Sequence, residues 1–228
     1  MILAAHQPQF APWLGYFDKL DRADVFVLLD NVQFKKNEWQ NRNRIKGSGG
    51  PQWLTVPVSG DFGRKIVELD IVSRQNWPER HLKTLRTCYG RAPHYEATFS
   101  SYESVACRPW KKLADLNIQL LHDLLAQIGL ERRILLASEL GPLSEDRDER
   151  LIELCRELGA ETYLAGAGGR DYMELERYRA AGIEVIFQEY RHPTYPQLFG
   201  DFAPNLSVLD LLFNCGPRSM EIIREGRQ

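Results

Sequence analysis

The amino-acid sequence predicts an α/β fold: a Rossmann-like, doubly wound, mostly parallel sheet with a helical and β-hairpin embellishment. Apolar runs typical of buried strands alternate with stretches of helical spacing over residues 1–46 and 131–190, which is the pattern of a parallel sheet wrapped by helices. Residues 47–130 do not continue this alternation, and we assign them to the embellishment. The length of 228 residues suits a single domain over residues 1–228.

The first part of the chain has the pattern of a βαβ unit. Residues 2–5 form a short apolar run, and residues 12–22 carry apolar side chains at helical spacing. Residues 25–29 are continuously apolar, as expected of a central strand covered on both faces. Pro12 suits the first turn of the helix, because its missing N–H would have no helical partner there.

The embellishment is predicted to begin with a glycine-rich turn over residues 47–51. Residues 53–58 and 66–71 have strand-like patterns, and we expect them to form a hairpin or loose β insertion around residues 59–63. Pro57 cannot donate a ladder hydrogen bond, so it places the first of these strands at an edge or a bulge.

The rest of the chain is predicted as helices and further sheet strands. Residues 113–128 carry a continuous apolar stripe, and Gly129 suits the C-terminal cap of that helix. Another helix is expected over residues 77–89. The remaining predicted elements are strands at 134–138, 162–165 and 183–187, and helices at 145–158, 172–181, 206–213 and from 217 onward.

Composition and charge exclude several classes of protein. Hydrophobic residues are 43% and charged residues 26% of the chain, which is typical of a globular protein and not of a disordered one. The net charge of −2 gives no overall attraction to nucleic acid. No apolar stretch approaches a membrane span, no signal peptide is recognisable, and the scattered cysteines suit a reducing compartment. We therefore expect a cytoplasmic protein that needs no metal and no disulfide.

One polar segment follows the first predicted strand. His6 stands where that strand ends, and ligands of open α/β sheets bind outside the carboxyl ends of strands. We assign His6 a catalytic role and expect Gln7, Gln9 and Tyr16 to contact substrate. The alternative is a structural role, in which Pro8 and the residues around it only shape a tight connection after the strand.

A second polar segment, residues 30–45, follows the next strand and could share the same edge. Amide and cationic side chains predominate in it, and arginine binds carboxylate or phosphate through paired hydrogen bonds. The alternative is a solvated surface loop. We assign Lys36 a catalytic role here, and substrate binding to Asp30, Gln33, Asn41, Arg42 and Arg44.

Three later segments are further candidates. His192, in the segment that follows the last predicted strand, could serve proton transfer, with Tyr195 and Gln197 binding substrate. The alternative is a rigid surface loop. The glycine-rich turn at 166–171 is a weak phosphate-binding pattern, more simply explained as a tight turn. Asp210 and Asn214 share a helical face and are better explained by helix packing.

The chain resembles the WbqC-like family. The resemblance rests on residues 6–17, 24–34, 41–45, 53–58, 158–164 and 206–214, and it covers essentially the whole chain. Family members are often encoded with genes for bacterial surface polysaccharide, or O-antigen, biosynthesis. The resemblance therefore implies a place in lipopolysaccharide assembly, and it names this context more firmly than a reaction.

A fainter similarity is to pantothenate synthetase and related nucleotidylyl-transferase folds. Gly15, the helix after it and residues 31–34 are spaced as at the start of that enzyme, which joins a carboxylate to an amine through an acyl-adenylate. That class carries a His-x-Gly-His motif at the helix start, whereas this chain has Trp13-Leu14-Gly15-Tyr16. The similarity supports the fold more than adenylyl transfer.

The leading hypothesis is a transferase or ATP-dependent ligase that places an acyl or aminoacyl group on a nucleotide-linked amino sugar. The alternative is a non-catalytic sugar- or nucleotide-binding accessory protein. We expect a small anionic substrate, with ATP or a nucleotide sugar as the possible cofactor. The substrate cleft is expected at the carboxyl edge of the sheet, lined by His6, Gln7, Lys36, Asn41, Arg42 and Arg44.

Overall fold

The protein is described by a computed structural model that covers residues 1–59, 63–72 and 76–228. Its main sheet has five parallel strands in the spatial order β5-β2-β1-β6-β7. The strands are β1 (Ile2–His6), β2 (Val25–Leu28), β5 (Arg133–Leu136), β6 (Thr162–Ala165) and β7 (Glu184–Phe187), and a separate antiparallel hairpin joins β3 (Arg42–Gly47) and β4 (Gly50–Thr55).

Helices cover both faces of the main sheet, as the continuous apolar strands require. One face packs against α1 and α4, and the other against α5 and α6. The doubly wound prediction is therefore confirmed. The helices are α1 (Leu14–Arg22), α2 (Trp77–Tyr89), α3 (Tyr95–Ala106), α4 (Leu113–Ile128), α5 (Arg147–Leu158), α6 (Leu175–Ala180), α7 (Val208–Cys215) and α8 (Ser219–Glu225).

The strand order reverses between β1 and β6. From β1 the chain winds outward through β2 to β5, then crosses back to place β6 and β7 on the other side. The β1–β6 register contains only the pairs Ile2–Thr162 and Leu3–Tyr163, whereas β1 pairs with β2 over four residues. The ladder at the reversal point thus ends before the carboxyl ends of the two strands.

The predicted hairpin is wrong in its pairing. The segment expected as its second strand contains a 3-10 turn at Ile66–Glu68 and only isolated bridges, one of them between Val58 and Ile71. The partner of β4 is instead β3, which immediately precedes it. Because Gly50 adopts a φ of +99°, the chain reverses tightly and pairs with its nearest neighbour in sequence.

The hairpin also changes the expected polar loop. Residues 42–45 belong to strand β3, so their side chains alternate between two faces instead of sharing one irregular surface. Residues 60–62, in the predicted turn at 59–63, lie outside the described residues. The long helices α2 and α4 have the predicted bounds, and Gly129 adopts the left-handed conformation that ends α4.

Several shorter elements differ from the prediction at their ends. The strand expected to reach residue 138 stops at Leu136 and continues as a 3-10 turn. The glycine-rich turn after β6 also becomes a 3-10 turn, Ala167–Asp171, so that α6 begins only at Leu175. The plain turn favoured for this segment is the better description, since no α-helix starts directly from it.

The C-terminus is held against α1 by buried charges. Asp21 accepts hydrogen bonds from Arg132, Arg224 and Arg227, and Arg227 also pairs with Asp18. Burial alone would raise the pKa of Asp21, but the bonds and charges of Arg224 and Arg227 outweigh it and lower that pKa. The cluster fixes the chain end against α1, while the backbone of residues 226–228 pairs with residues 189–191, which follow β7.

Candidate functional site

His6 occupies the carboxyl end of β1, at the point where the strand order reverses. Its Nδ1 lies 3.1 Å from the carbonyl oxygen of Gln7, and its ring contacts Tyr16 edge-on at 5.0 Å. A carbonyl only accepts hydrogen bonds, so we assign the hydrogen to Nδ1 and the lone pair to Nε2. Burial, together with the positive charge of Lys19, lowers the pKa of His6 to about 4. The imidazole is therefore neutral near pH 7.

Lys19 was missed in the sequence, and it lies beneath His6. It is a buried residue of α1, and its Nζ donates to the carbonyl oxygen of Ala5 at 2.9 Å and lies 5.9 Å from the ring centre of Tyr163. Its amine therefore reaches the place where the β1–β6 ladder has already ended. Burial lowers the pKa of Lys19 to about 7. The signal available in the sequence was its spacing: Lys19 follows Tyr16 by three residues, and residues three apart are neighbours on one face of a helix.

The first polar segment contacts the second through the side chains of Gln40 and Asn43, which were not predicted as site residues, and through one backbone hydrogen bond. Gln40 Nε2 donates to Gln7 Oε1 at 2.6 Å, and the Phe10 N–H donates to the Trp39 carbonyl at 3.0 Å. Asn43 Nδ2 donates to the Ala11 carbonyl at 2.7 Å. The two segments therefore meet at the carboxyl edge of the sheet.

The arginines of the second segment lie beside exposed tryptophans. The Arg42 guanidinium stacks 4.2 Å from the ring centre of Trp53, and the Arg44 guanidinium lies 5.9 Å from Trp53 and 6.0 Å from Trp39. Arg42 also donates to the Asn37 carbonyl. The indoles of Trp39 and Trp53 are 5.4 Å apart, and their side chains are 36% and 45% exposed. Large apolar rings left open to solvent are typical of a binding surface.

A cleft of about 380 Å³ opens beside these rings. It is lined by Trp13, Trp39, Arg44 and Asn205. Trp13 precedes α1, and its ring packs edge-on against Tyr190 at 5.6 Å. The cleft thus joins the two polar segments with the C-terminal part of the chain. We call these four residues the tryptophan cleft.

The Nε atoms of both arginines are buried without a hydrogen-bond partner in the part of the chain that the structure describes. A guanidinium offers five donors, so each side chain keeps donor capacity beyond the contacts above. A phosphate or carboxylate in the tryptophan cleft would meet Arg44 directly.

Other predicted residues of the two segments take structural contacts. Both carboxylate oxygens of Asp30 accept from Ser138, one from its N–H at 2.9 Å and one from its hydroxyl at 2.6 Å. Asn41 Nδ2 donates to the Val56 carbonyl at 2.8 Å. Gln33 and Lys36 are exposed. Asp30 and Asn41 therefore stabilise the ends of strands. Substrate binding by Asp30, Asn41 and the two exposed residues stays a prediction.

Tyr16 and Gln9 are buried near His6. The Tyr16 hydroxyl donates to the Gln7 carbonyl at 3.3 Å, and burial raises the pKa of Tyr16. Gln9 is 8% exposed, and its Oε1 has no hydrogen-bond partner within residues 1–59, 63–72 and 76–228. Tyr16 thus orients the loop that carries Gln7, while Gln9 retains an unused acceptor.

The last predicted group packs around Asp210. Tyr195 donates to one carboxylate oxygen of Asp210 at 3.0 Å, and Tyr89 donates to the other at 2.6 Å. Burial raises the pKa of Asp210 even though both hydroxyls stabilise its charge. Gln197 exchanges two hydrogen bonds with the backbone of Ala203. Tyr195 and Gln197 therefore hold the segment before α7 in place.

His192 sits half-buried in the same region, 6.0 Å from Tyr195 between ring centres. Its Nδ1 lies 2.9 Å from the Pro193 carbonyl, and burial lowers its pKa. Its Nε2 is buried and unpaired among the described residues. The histidine is neutral near pH 7 and keeps one acceptor, but its described contacts lie in its own segment and not with His6.

Two features are absent from the described part of the chain. Residues 1–59, 63–72 and 76–228 contain no group of three or more histidine, cysteine or acidic side chains placed to hold a metal ion. Over the same residues, every helix is too short or too polar to cross a membrane. The four cysteines are free thiols.

The fold and the site together define a Rossmann-like α/β protein whose polar residues gather where the strand order of a parallel sheet reverses. Comparison with known proteins then places it more closely. The chain belongs to the WbqC-like protein family, which it matches over residues 7–222. Membership of this family suggests a role in polysaccharide-associated biosynthesis.

A similar protein is found in Mycobacterium tuberculosis strain H37Rv, where it carries the name "Uncharacterized protein Rv1507c". The two chains are 34% identical over 230 residues, which is 99% of each. No solved structure matches the chain significantly. The family assignment therefore extends over the full length of the chain, while the chemistry has to be argued from the site.

Proposed function

We propose that the protein is an enzyme of cell-surface glycan biosynthesis that transfers an acyl or aminoacyl group onto a nucleotide-linked amino sugar. The observation that carries this proposal is the place of His6. A neutral imidazole with a free acceptor nitrogen stands at the reversal point of the sheet, and its loop contacts the segment that bears the arginines. Ligands of doubly wound sheets bind at this point.

The arginines supply attraction for the nucleotide part of the substrate. Arg44 lines the tryptophan cleft together with two indoles, and an aromatic face stacks on a base or a sugar ring while a guanidinium pairs with phosphate. The net charge of the chain is −2, so this attraction is local. A nucleotide sugar combines the ring and the phosphates that such a cleft fits.

His6 then acts as the general base for an amine. In the proposed step the sugar amine attacks the acyl carbon of an acyl-adenylate, AMP leaves, and the proton released by the nitrogen passes to His6 Nε2. The acyl-adenylate comes from a carboxylate and ATP with release of pyrophosphate.

The test is to incubate the protein with UDP-glucosamine, ATP, magnesium and an amino-acid mixture, and to follow pyrophosphate exchange and amide formation by mass spectrometry. We expect an amide product in the wild type and a loss of about 10²–10⁴-fold in His6→Asn, as for the removal of a general base. The matched control is His192→Asn, because the described contacts of His192 are with Pro193, Tyr195 and Phe202 and not with His6.

Binding of UDP-glucosamine without exchange or product would refute catalysis and favour the accessory protein. The stacking of both arginines on tryptophan is the observation that favours this second function, since it provides a binding surface without requiring chemistry. Absence of both binding and turnover would refute the assignment to nucleotide sugars.

A further inference from the structure

Three amide side chains form a connected chain from the mouth of the site into the interior. Asn117 of α4 donates from Nδ2 to the Gln40 carbonyl at 2.7 Å, and Gln40 donates from Nε2 to Gln7 Oε1 at 2.6 Å. Asn117 is 1% and Gln40 is 2% exposed, whereas Gln7 is half-buried beside His6. We call these three residues the amide chain.

The amide chain ends in acceptors that nothing in the described structure satisfies. Gln40 Oε1 and Asn117 Oδ1 are both buried and without a hydrogen-bond partner among the residues described. The nitrogen of Asn117 has to face the Gln40 carbonyl, so the oxygen of Asn117 is the atom left over. A buried acceptor without a donor bears the full cost of its desolvation.

Asn117 is a polar residue among buried leucines on α4, including Leu113, Leu116, Leu120 and Leu124. Its Nδ2 is used by the Gln40 carbonyl, but its Oδ1 is not used. Gln9 adds a third unpaired oxygen from the same loop as Gln7. Unpaired oxygens of this kind call for a donor that the residues described by the structure do not supply.

We infer that the amide chain binds the hydroxyl and amine groups of the sugar in the substrate, and this inference rests on the proposed function. Hydroxyl and ammonium groups are donors, whereas the oxygens of ionised phosphate only accept. Different groups therefore bind the two parts of the substrate. Arg44 holds the phosphates in the tryptophan cleft, and neutral amides next to His6 hold the sugar. The amide chain determines specificity for the sugar and takes no part in the bond-forming step.

The test compares UDP-glucosamine with UDP in calorimetric titrations of the wild type and of Gln40→Met, which preserves side-chain length and removes the amide. We expect the wild type to bind UDP-glucosamine more tightly than UDP. We expect Gln40→Met to lose at least tenfold in affinity for UDP-glucosamine, or about 1.4 kcal/mol, and to bind UDP unchanged. Arg44→Ala should weaken both ligands by the same factor.

Stability measurements separate this role from a structural one. Asn43 is a matched control, since it is an amide of 1% exposure whose Nδ2 donates to the Ala11 carbonyl and whose Oδ1 accepts from the Arg44 N–H. We expect Asn43→Leu to lower the melting temperature clearly, while Gln40→Met lowers it less or raises it. If Gln40→Met lowered the melting temperature as much as Asn43→Leu, this result would contradict the claim that Gln40 Oε1 is unpaired in the wild type.

The outcomes also separate the inference from the proposed function. Equal affinity of the wild type and Gln40→Met for UDP-glucosamine would mean that the oxygens hold a buried water only. Equal affinity of the wild type for UDP and UDP-glucosamine would overturn sugar binding by the amide chain but leave nucleotide binding intact. A wild type that binds neither compound would refute both.

Discussion

Replacing Lys19 with methionine should stabilise the protein. The side chain is 4% exposed, and burial lowers its pKa from 10.5 to about 7. One pKa unit corresponds to about 1.4 kcal/mol, so the charged lysine costs the folded state roughly 5 kcal/mol below pH 7. The variant also loses the hydrogen bond to the Ala5 carbonyl, worth about 1 kcal/mol. We expect Lys19→Met to raise the free energy of unfolding by roughly 2–4 kcal/mol at pH 6.

The pH dependence gives the sharper test, because its sign is fixed. Between pH 7 and 10.5 the unfolded chain holds a proton on Lys19 that the folded chain does not, so wild-type stability gains with rising pH from this group. The advantage of the variant should therefore shrink by roughly 2 kcal/mol from pH 7 to pH 9. Other groups that titrate in this range are present in both proteins and cancel in the difference.

The assay is urea unfolding of both proteins at pH 6, 7, 8 and 9, followed by circular dichroism. Lys19→Arg serves as the control, since its guanidinium stays charged throughout and should be less stable than the wild type at every pH. A difference between wild type and Lys19→Met that stays constant from pH 7 to pH 9 would refute the lowered pKa of Lys19.

Three other predictions follow from the contacts described above. Arg42→Ala should weaken the binding of UDP-glucosamine at least tenfold in calorimetry with a nearly unchanged melting temperature, since the side chain contacts one carbonyl and an exposed ring; equal affinities would remove this arginine from the site. Asp21→Asn should lower the free energy of unfolding by roughly 3 kcal/mol at pH 7. The lowered pKa of Asp21 means that its contribution is present above its unfolded pKa of about 3.8 and is lost as the pH falls through the folded value, so the difference in unfolding free energy between the two proteins should shrink as the pH is lowered below about 3.8. A chelator or a reductant should leave the melting temperature unchanged, because the described cysteines are free; a loss of several degrees with either reagent would contradict this.

Local signals in the sequence sufficed for the elements that depend on local physics. The helices at Trp77–Tyr89 and Leu113–Ile128 have the predicted bounds, because proline near a first turn and glycine after a last turn act within a few residues. The alternation of strands and helices likewise predicted the doubly wound sheet. The pairing of the hairpin was wrong because the choice between two possible partners for β4 depends on the tight turn at Gly50.

The meeting place of the two polar segments was predictable from the sequence, whereas the contacts between their side chains were not. Parallel strands end at one edge of a sheet, so the meeting of the two polar segments followed from the predicted topology. Which side chains meet depends on packing between distant parts of the chain. Gln40 contacts Gln7 because Asn117, 77 residues later, holds its backbone, and no pattern around residue 40 indicates a partner on α4. Whether the predicted residues bind substrate stays a prediction.

The strand order also governs when the two halves of the main sheet can join during synthesis. β1 leaves the ribosome before the other strands of this sheet, yet its partner on one side is β6, which follows 160 positions later. At about 5–20 residues per second this separation corresponds to roughly 8–30 s. Until then one edge of β1 presents unpaired backbone groups to other nascent chains. We therefore expect the reversal point beside His6 to form only after β6 has been made, and fragments that stop before residue 162 to aggregate instead of folding.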